Sequence, residues 1–107
     1  MQIQINTDSN IEGSEEFAAH IRGAVESSLG RFSDRITRIE VHLSDENGDK
    51  SGQDDKRCML EVRLEGRQPT VVTHQAASMH QAVDGAADKM KRSLEDRFER
   101  MRDARRT

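Results

Sequence analysis

The sequence predicts an α+β fold: a two-layer sandwich with a four-stranded sheet and both helices packed on one face. Three observations predict it: runs in which apolar and polar residues alternate, segments with helical apolar periodicity, and their order β-α-β-β-β-α. A sheet with one apolar face needs a cover, which two amphipathic helices provide. We expect a single domain over residues 1–107, because no interdomain linker interrupts the chain.

The first strand and first helix follow directly from local patterns. Met1, Ile3 and Ile5 alternate with polar residues, as in a strand with one buried face. Ser14 is a candidate N-cap, because two glutamates follow it where a helix dipole favours acids. The apolar periodicity predicts a helix from about Ser14 to Leu29. Gly30 is the expected C-terminal stop.

Three further strands are predicted, with two turns between them. Residues 44–57 are rich in turn-forming and acidic residues, so we expect a long acidic hairpin loop there. A shorter turn covers residues 66–69, and a fourth strand covers residues 70–73. The alternating apolar positions of the second and third strands are Ile39, Val41, Leu43, Cys58, Leu60, Val62 and Leu64.

The last third of the chain, residues 76–106, predicts one long amphipathic helix. Basic residues crowd its second half: residues 89–107 hold eight Lys and Arg against four Asp and Glu, in a chain of net charge −3. We expect residues 102–107 to form a frayed tail, since terminal residues are commonly mobile. The apolar stripe comprises Met79, Ala82, Val83, Ala86, Met90, Leu94, Phe98 and Met101.

Composition limits the class of protein. Hydrophobic residues make up 33% of the chain and Trp and Tyr are absent, so the core must be small and aliphatic. There is no apolar run of about 18 residues and no charged-then-apolar leader, and we expect a soluble, cytoplasmic protein without membrane contact. Cys58 is the single cysteine and lies on the apolar face of a predicted strand, where a small buried hydrophobe is expected.

Three segments resemble the short bacterial ribosome-hibernation proteins, the family of hibernation-promoting factor and ribosome-associated inhibitor A, also called the sigma-54 modulation protein family. They are the opening of residues 1–12, the basic-aromatic step of residues 29–36, and the Ala-Val-Asp to Asp-Lys-Met run of residues 82–90. The resemblance implies the same β-α-β-β-β-α order and binding to the small ribosomal subunit, on 16S rRNA. It also implies inhibition of translation and hibernation under stress, without a small-molecule substrate. Longer relatives add a C-terminal dimerisation domain, which we do not expect here.

Binding to rRNA requires basic side chains on one surface, because Lys and Arg gain affinity by displacing counterions from phosphates. An alternative interpretation is that the same side chains form i,i+4 ion pairs along a solvated helix, as the spacing Asp88, Arg92, Asp96, Arg100 allows. The expected rRNA-binding residues are Arg31, Arg35, Lys89, Arg92, Arg97 and Arg100.

A second hypothesis is a non-enzymatic protein-interaction module that forms a weak homodimer and binds RNA poorly. It is motivated by the net charge of −3 and by Glu95 and Asp96, which stand where family members often carry basic residues.

We expect no catalytic, cofactor or metal site. Asp45, Asn47 and Asp49 match the first ligand positions of a calcium loop, but Lys50 and Lys56 occupy the places of its glycine and its bidentate glutamate. No Cys-x-x-Cys or His-x-x-x-His pair predicts a zinc site, and no nucleophile with a neighbouring base or Gly-rich phosphate loop predicts an enzyme.

Overall fold

The computed structural model describes residues 1–8, 14–45 and 55–105, and it confirms the predicted α+β architecture. A four-stranded sheet carries two helices, and a short 3₁₀ helix follows the first of them. The elements are β1 (Gln2–Thr7), α1 (Glu15–Leu29), the 3₁₀ helix (Gly30–Arg35), β2 (Ile36–Asp45), β3 (Lys56–Leu64), β4 (Thr70–Ala76) and α2 (Met79–Arg105).

The strands lie in the order β1-β2-β3-β4, with β1 parallel to β2 and the other pairs antiparallel. An irregularity in the β2–β3 register lies between Ile36 and Arg38. It places Ile36 and Ile39 on the same buried side although they are three residues apart, which regular alternation does not allow. Because one sheet face is apolar, both helices bury their apolar stripes against it in one continuous core.

Both ends of α1 agree with the sequence, but the chain keeps turning after the helix ends at Leu29. The Ser14 hydroxyl accepts a hydrogen bond from the Phe17 amide at 3.0 Å, as an N-cap does. Gly30 does not stop the chain from turning, because its φ of −57° is right-handed and the backbone continues into the 3₁₀ helix. That continuation buries Phe32 in the core.

The predicted hairpin loop of residues 44–57 is too long at both ends. Ser44 pairs with Arg57 and Asp45 pairs with Lys56, so these four residues belong to β2 and β3. The Lys56 Nζ lies 3.0 Å from Asp55 Oδ2 and 3.1 Å from Asp45 Oδ2. These hydrogen bonds raise the pKa of Lys56, and the bond from Lys56 lowers the pKa of Asp55. The middle of the loop, which includes Asn47 and Asp49 of the calcium pattern, lies outside the described residues.

The boundary between β4 and α2 lies further along the chain than the sequence predicts. β4 continues past Thr73 to Ala76, which is buried and pairs with Lys56. The α2 helix therefore begins at Met79, and the Ser78 hydroxyl accepts a hydrogen bond from the Gln81 amide at 3.1 Å. At its other end α2 continues to Arg105, so residues 102–105 of the expected frayed tail are helical. No helix of the described ranges is both long and apolar enough to cross a membrane.

The sheet face opposite the helices is polar, as the alternation predicts, and its charges are linked to one another. Arg63 lies 3.4 Å from Glu40 and 3.1 Å from Glu61, and Arg38 lies 3.5 Å from Glu40. Arg38 also donates to Gln4 of β1. Hydrogen bonding to Glu40, and then to Arg63, lowers the pKa of Glu61. This face therefore offers no open aromatic platform for stacked bases.

Cys58 provides a first test of the fold. Its side chain is fully buried, and this burial raises the pKa of the thiol to about 12. Because the thiolate is the nucleophile, we expect negligible reaction with Ellman's reagent at pH 8 until the protein unfolds. The labelling rate should rise with urea in parallel with global unfolding. Rapid stoichiometric labelling of the native protein would contradict this burial.

Candidate nucleic-acid interface

The structure divides the six expected rRNA-binding residues into three pairs with different surroundings. One pair lies on the exposed face of α2, a second pair holds α2 to the edge of the sheet, and a third pair lies on the 3₁₀ helix. Each of the six residues belongs to α2 or lies next to it. The pairs are Arg92 with Arg100, Lys89 with Arg97, and Arg31 with Arg35.

Arg92 and Arg100 lie on the exposed face of α2. Arg92 pairs with Asp88 and Arg100 pairs with Asp96, each one helical turn earlier. The arginine side chains remain 75% and 76% exposed, so water and a polyanion both have access to them. Exposed i,i+4 pairs of this kind contribute only about 0.3–0.5 kcal/mol, and phosphate oxygens can compete with the carboxylates for the guanidinium groups.

Lys89 and Arg97 contribute to the fold as well as to the surface charge. The Lys89 Nζ donates to the Thr73 carbonyl of β4 at 3.0 Å. Arg97 donates to the Gln68 carbonyl at 2.8 Å and to the Thr70 hydroxyl at 2.6 Å. Both side chains therefore fasten α2 to the outer strand and its preceding turn, which leaves fewer of their donors for a partner.

Arg31 and Arg35 reach α2 because the 3₁₀ helix turns them towards it. The Arg31 guanidinium lies 4.9 Å from the centroid of the Phe32 ring, and its Nη1 is 3.9 Å from the Glu95 carboxylate. The Arg35 guanidinium lies 4.6 Å from the centroid of the Phe98 ring. Such cation–π contacts hold a guanidinium over a ring while its edge stays available for hydrogen bonding.

Two arginines missed in the sequence-based selection also border this end of the fold. Arg102 lies one helical turn after Phe98 and borders a cleft of about 290 Å³ with Arg31 and Arg35. We call this the arginine cleft; its lining is Arg31, Phe32, Asp34, Arg35, Phe98 and Arg102. Arg67 borders an adjoining concavity that shares Arg35 and Phe98 with the cleft. Helical spacing from Phe98 could have indicated Arg102, whereas only the packing of the β3–β4 turn places Arg67 here.

Acidic side chains accompany these arginines, so the surface has mixed charge. Asp34 borders both concavities, and Glu65 borders the second. Glu95, which departs from the family pattern, is half-exposed beside Arg31. An anionic partner must therefore displace these carboxylates or bind beside them, so its affinity depends on individual acidic and basic residues.

The opposite end of the helix pair carries an aromatic cluster that lies between α1 and the start of α2. His20 Nε2 lies 3.1 Å from Asp84 Oδ1, and the ring centroids of His20 and His80 are 4.4 Å apart. The ring centroids of Phe17 and His80 are 5.1 Å apart, so the cluster packs α1 against the start of α2. Among the described residues, no three His, Cys, Asp or Glu side chains are arranged to hold a metal ion.

The comparisons with known proteins agree with the resemblance noted in the sequence. The model of the family described as sigma 54 modulation protein / S30EA ribosomal protein matches residues 3–102. None of the curated proteins matches significantly.

Two solved structures share the fold. The N-terminal domain of Thermus thermophilus Protein Y is 21% identical, with a TM-score of 0.73 and coverage of 92% of this chain and 99% of that one. A ribosomal subunit interface protein from Coxiella burnetii is 20% identical, with a TM-score of 0.71 and the same coverage. At these identities the two structures establish the β-α-β-β-β-α fold alone.

Proposed function

The chain belongs to the sigma 54 modulation protein / S30EA ribosomal protein family, and we propose that it associates with the ribosome by binding rRNA of the small subunit. The observation that carries the proposal is the exposed basic surface formed by the 3₁₀ helix and the C-terminal half of α2. The name of one structural neighbour, a ribosomal subunit interface protein from Coxiella burnetii, supports it.

Electrostatics explains how a chain with a net charge of −3 binds a polyanion. Affinity depends on the local arrangement of Lys and Arg against phosphates, and each contact releases condensed counterions. The basic residues of α2 and of the 3₁₀ helix concentrate positive charge at one end of the fold. The open sheet face, with its linked charges, is then directed away from the RNA.

The biological consequence we propose is inhibition of translation. A protein bound where transfer RNA and messenger RNA pass excludes both by occupying their space, so ribosomes stay idle and intact under stress. This role needs neither a catalytic group nor a cofactor, and it acts in the cytoplasm, where ribosomes work.

Sedimentation with ribosomes over a salt series tests the proposal. We expect the protein to sediment with isolated 30S subunits and 70S ribosomes at low salt. The logarithm of the binding constant should fall linearly with the logarithm of salt concentration, by about 0.7–0.9 for each phosphate contact. Failure to sediment even at low salt would exclude ribosome binding.

The main alternative is a protein-interaction module that has kept the fold and forms a homodimer. The ion pairs of Arg92 and Arg100 with acids of their own helix favour it, because they satisfy these arginines without RNA. Measuring solution mass on the same sample separates the two functions. A stable dimer without salt-sensitive ribosome binding would support the alternative.

A further inference from the structure

We propose that the arginine cleft is an anchoring site for a single phosphate of the RNA backbone, held by Arg31, Arg35 and Arg102. This inference rests on the proposed function, because it takes rRNA as the source of the phosphate. It goes further because it predicts that the arginine cleft contributes more to affinity than its charge alone. The reason is that its side chains are held in a fixed geometry.

The cleft lies where two elements distant in sequence meet. The 3₁₀ helix provides Arg31, Asp34 and Arg35, and α2 provides Phe98 and Arg102. Its volume of about 290 Å³ is open at the surface, so it can admit a group that projects from a larger molecule. A backbone phosphate projects from RNA in this way.

The aromatic rings determine which kind of ligand fits. The Phe32 and Phe98 ring centroids are 5.3 Å apart, and each ring already has a guanidinium over it. Because Arg31 and Arg35 cover these rings, the cleft is poorly suited to stacking a base. The guanidinium groups instead present N–H donors, which match the paired oxygens of a phosphate.

The same contacts reduce the cost of binding. A guanidinium packed on a ring loses rotamer freedom during folding, so less is lost when a ligand arrives. Arg35 is held in this way over Phe98, and Arg31 over Phe32. Arg102 is exposed and adds a third positive group from the last turns of α2.

A polyanion suits the surroundings better than an isolated anion. Arg67 borders the adjoining concavity, so a chain leaving the cleft on that side meets another cation. Asp34 lies in both concavities and opposes an anion in either. Removing the charge of Asp34 should therefore change affinity in the opposite direction to removing that of an arginine. The two kinds of variant serve as controls for each other.

The first arm of the test measures ribosome affinity for single variants in the salt series. We expect Arg35→Gln and Arg102→Gln each to weaken binding about ten-fold, and Asp34→Asn to strengthen it about three-fold. The matched control is Arg22→Gln, an exposed arginine that borders a separate concavity near β1. It should change affinity less than about two-fold. Arg35→Lys keeps the charge and loses the planar fork, so it should also weaken binding.

The second arm uses inorganic phosphate and the arginine Nε–H resonances of the free protein. We expect phosphate to shift the resonances of Arg31, Arg35 and Arg102 while that of Arg22 stays in place. Thermal unfolding of each variant checks its folding; should Arg35→Gln lose stability through its Phe98 contact, the exposed Arg102→Gln provides the decisive comparison.

The two proposals fail in different ways. If the wild type sediments with ribosomes but the cleft variants behave like Arg22→Gln, the cleft is overturned and the function stands. If the wild type does not sediment, the function is overturned and the phosphate titration decides the cleft: localised shifts support it, and uniform or absent shifts reject it.

Discussion

Replacing Arg31, Arg92 and Arg100 together by glutamate is expected to abolish ribosome binding, lowering affinity by roughly a thousand-fold. If these arginines bind rRNA as proposed, each substitution removes a charge-assisted contact to phosphate and adds a repulsive charge. The three side chains are 63%, 75% and 76% exposed, so the fold should tolerate the change. Sedimentation over a salt series measures the loss, and the salt slope of any residual binding should fall by about two to three units.

The choice of these residues follows from the contacts of the others. Lys89 and Arg97 hold α2 to β4 and its turn. Replacing them would change the stability of the fold as well as binding, so the two effects could not be separated. A glutamine version of the triple variant avoids new like-charge pairs within α2, each worth a few tenths of a kcal/mol.

Neutralising the paired acids provides the contrast. If Arg92 and Arg100 bind RNA, then Asp88→Asn and Asp96→Asn should release them and raise affinity. If the pairs only stabilise the helix surface, these two variants should leave ribosome sedimentation unchanged, and the triple variant should lose only the contribution of Arg31. The latter result would reject Arg92 and Arg100 as contacts.

Gly85→Ala is expected to destabilise the protein by about 1–3 kcal/mol, although alanine favours a helix by about 1 kcal/mol over glycine. The reason is the closeness of α2 to β4 at this point. A Cβ at Gly85 would overlap the His74 ring and lie 2.7 Å from its Cγ, so the whole ring has to shift. Chemical denaturation in urea measures the change in the free energy of unfolding.

Gly23 provides the matched control, because it is also a helical glycine and a Cβ added there would meet nothing within 4 Å. Gly23→Ala should therefore stabilise the protein by about 0.5–1 kcal/mol. Combining Gly85→Ala with His74→Ala removes the overlap, and the double-mutant cycle should show a favourable coupling of at least about 1 kcal/mol. A Gly85→Ala protein as stable as Gly23→Ala would show that α2 does not approach β4 so closely.

The parts of the fold that were predicted correctly depend on local periodicity. The alternation around Ile39 and Leu60 specifies which strand face is buried, and Ser14 specifies the helix start. Boundaries were less predictable, because pairing with another strand decides them: Ala76 joins β4 since Lys56 is its partner. The 3₁₀ helix was missed because Gly30 also suits a helix stop, and only the burial of Phe32 favours continued turning.

The sequence by itself determined the order of the elements, their apolar faces and the concentration of basic residues in the last helix, since each is a property of neighbouring positions. Only the tertiary structure decided which arginines lie together. Arg35 and Arg102 are far apart in the chain and share one cleft because the 3₁₀ helix packs beside Phe98. Arg97, which looks similar in sequence, is instead fastened to the β3–β4 turn. Contacts between elements that are distant in the chain set these positions, and the local sequence pattern does not encode such contacts.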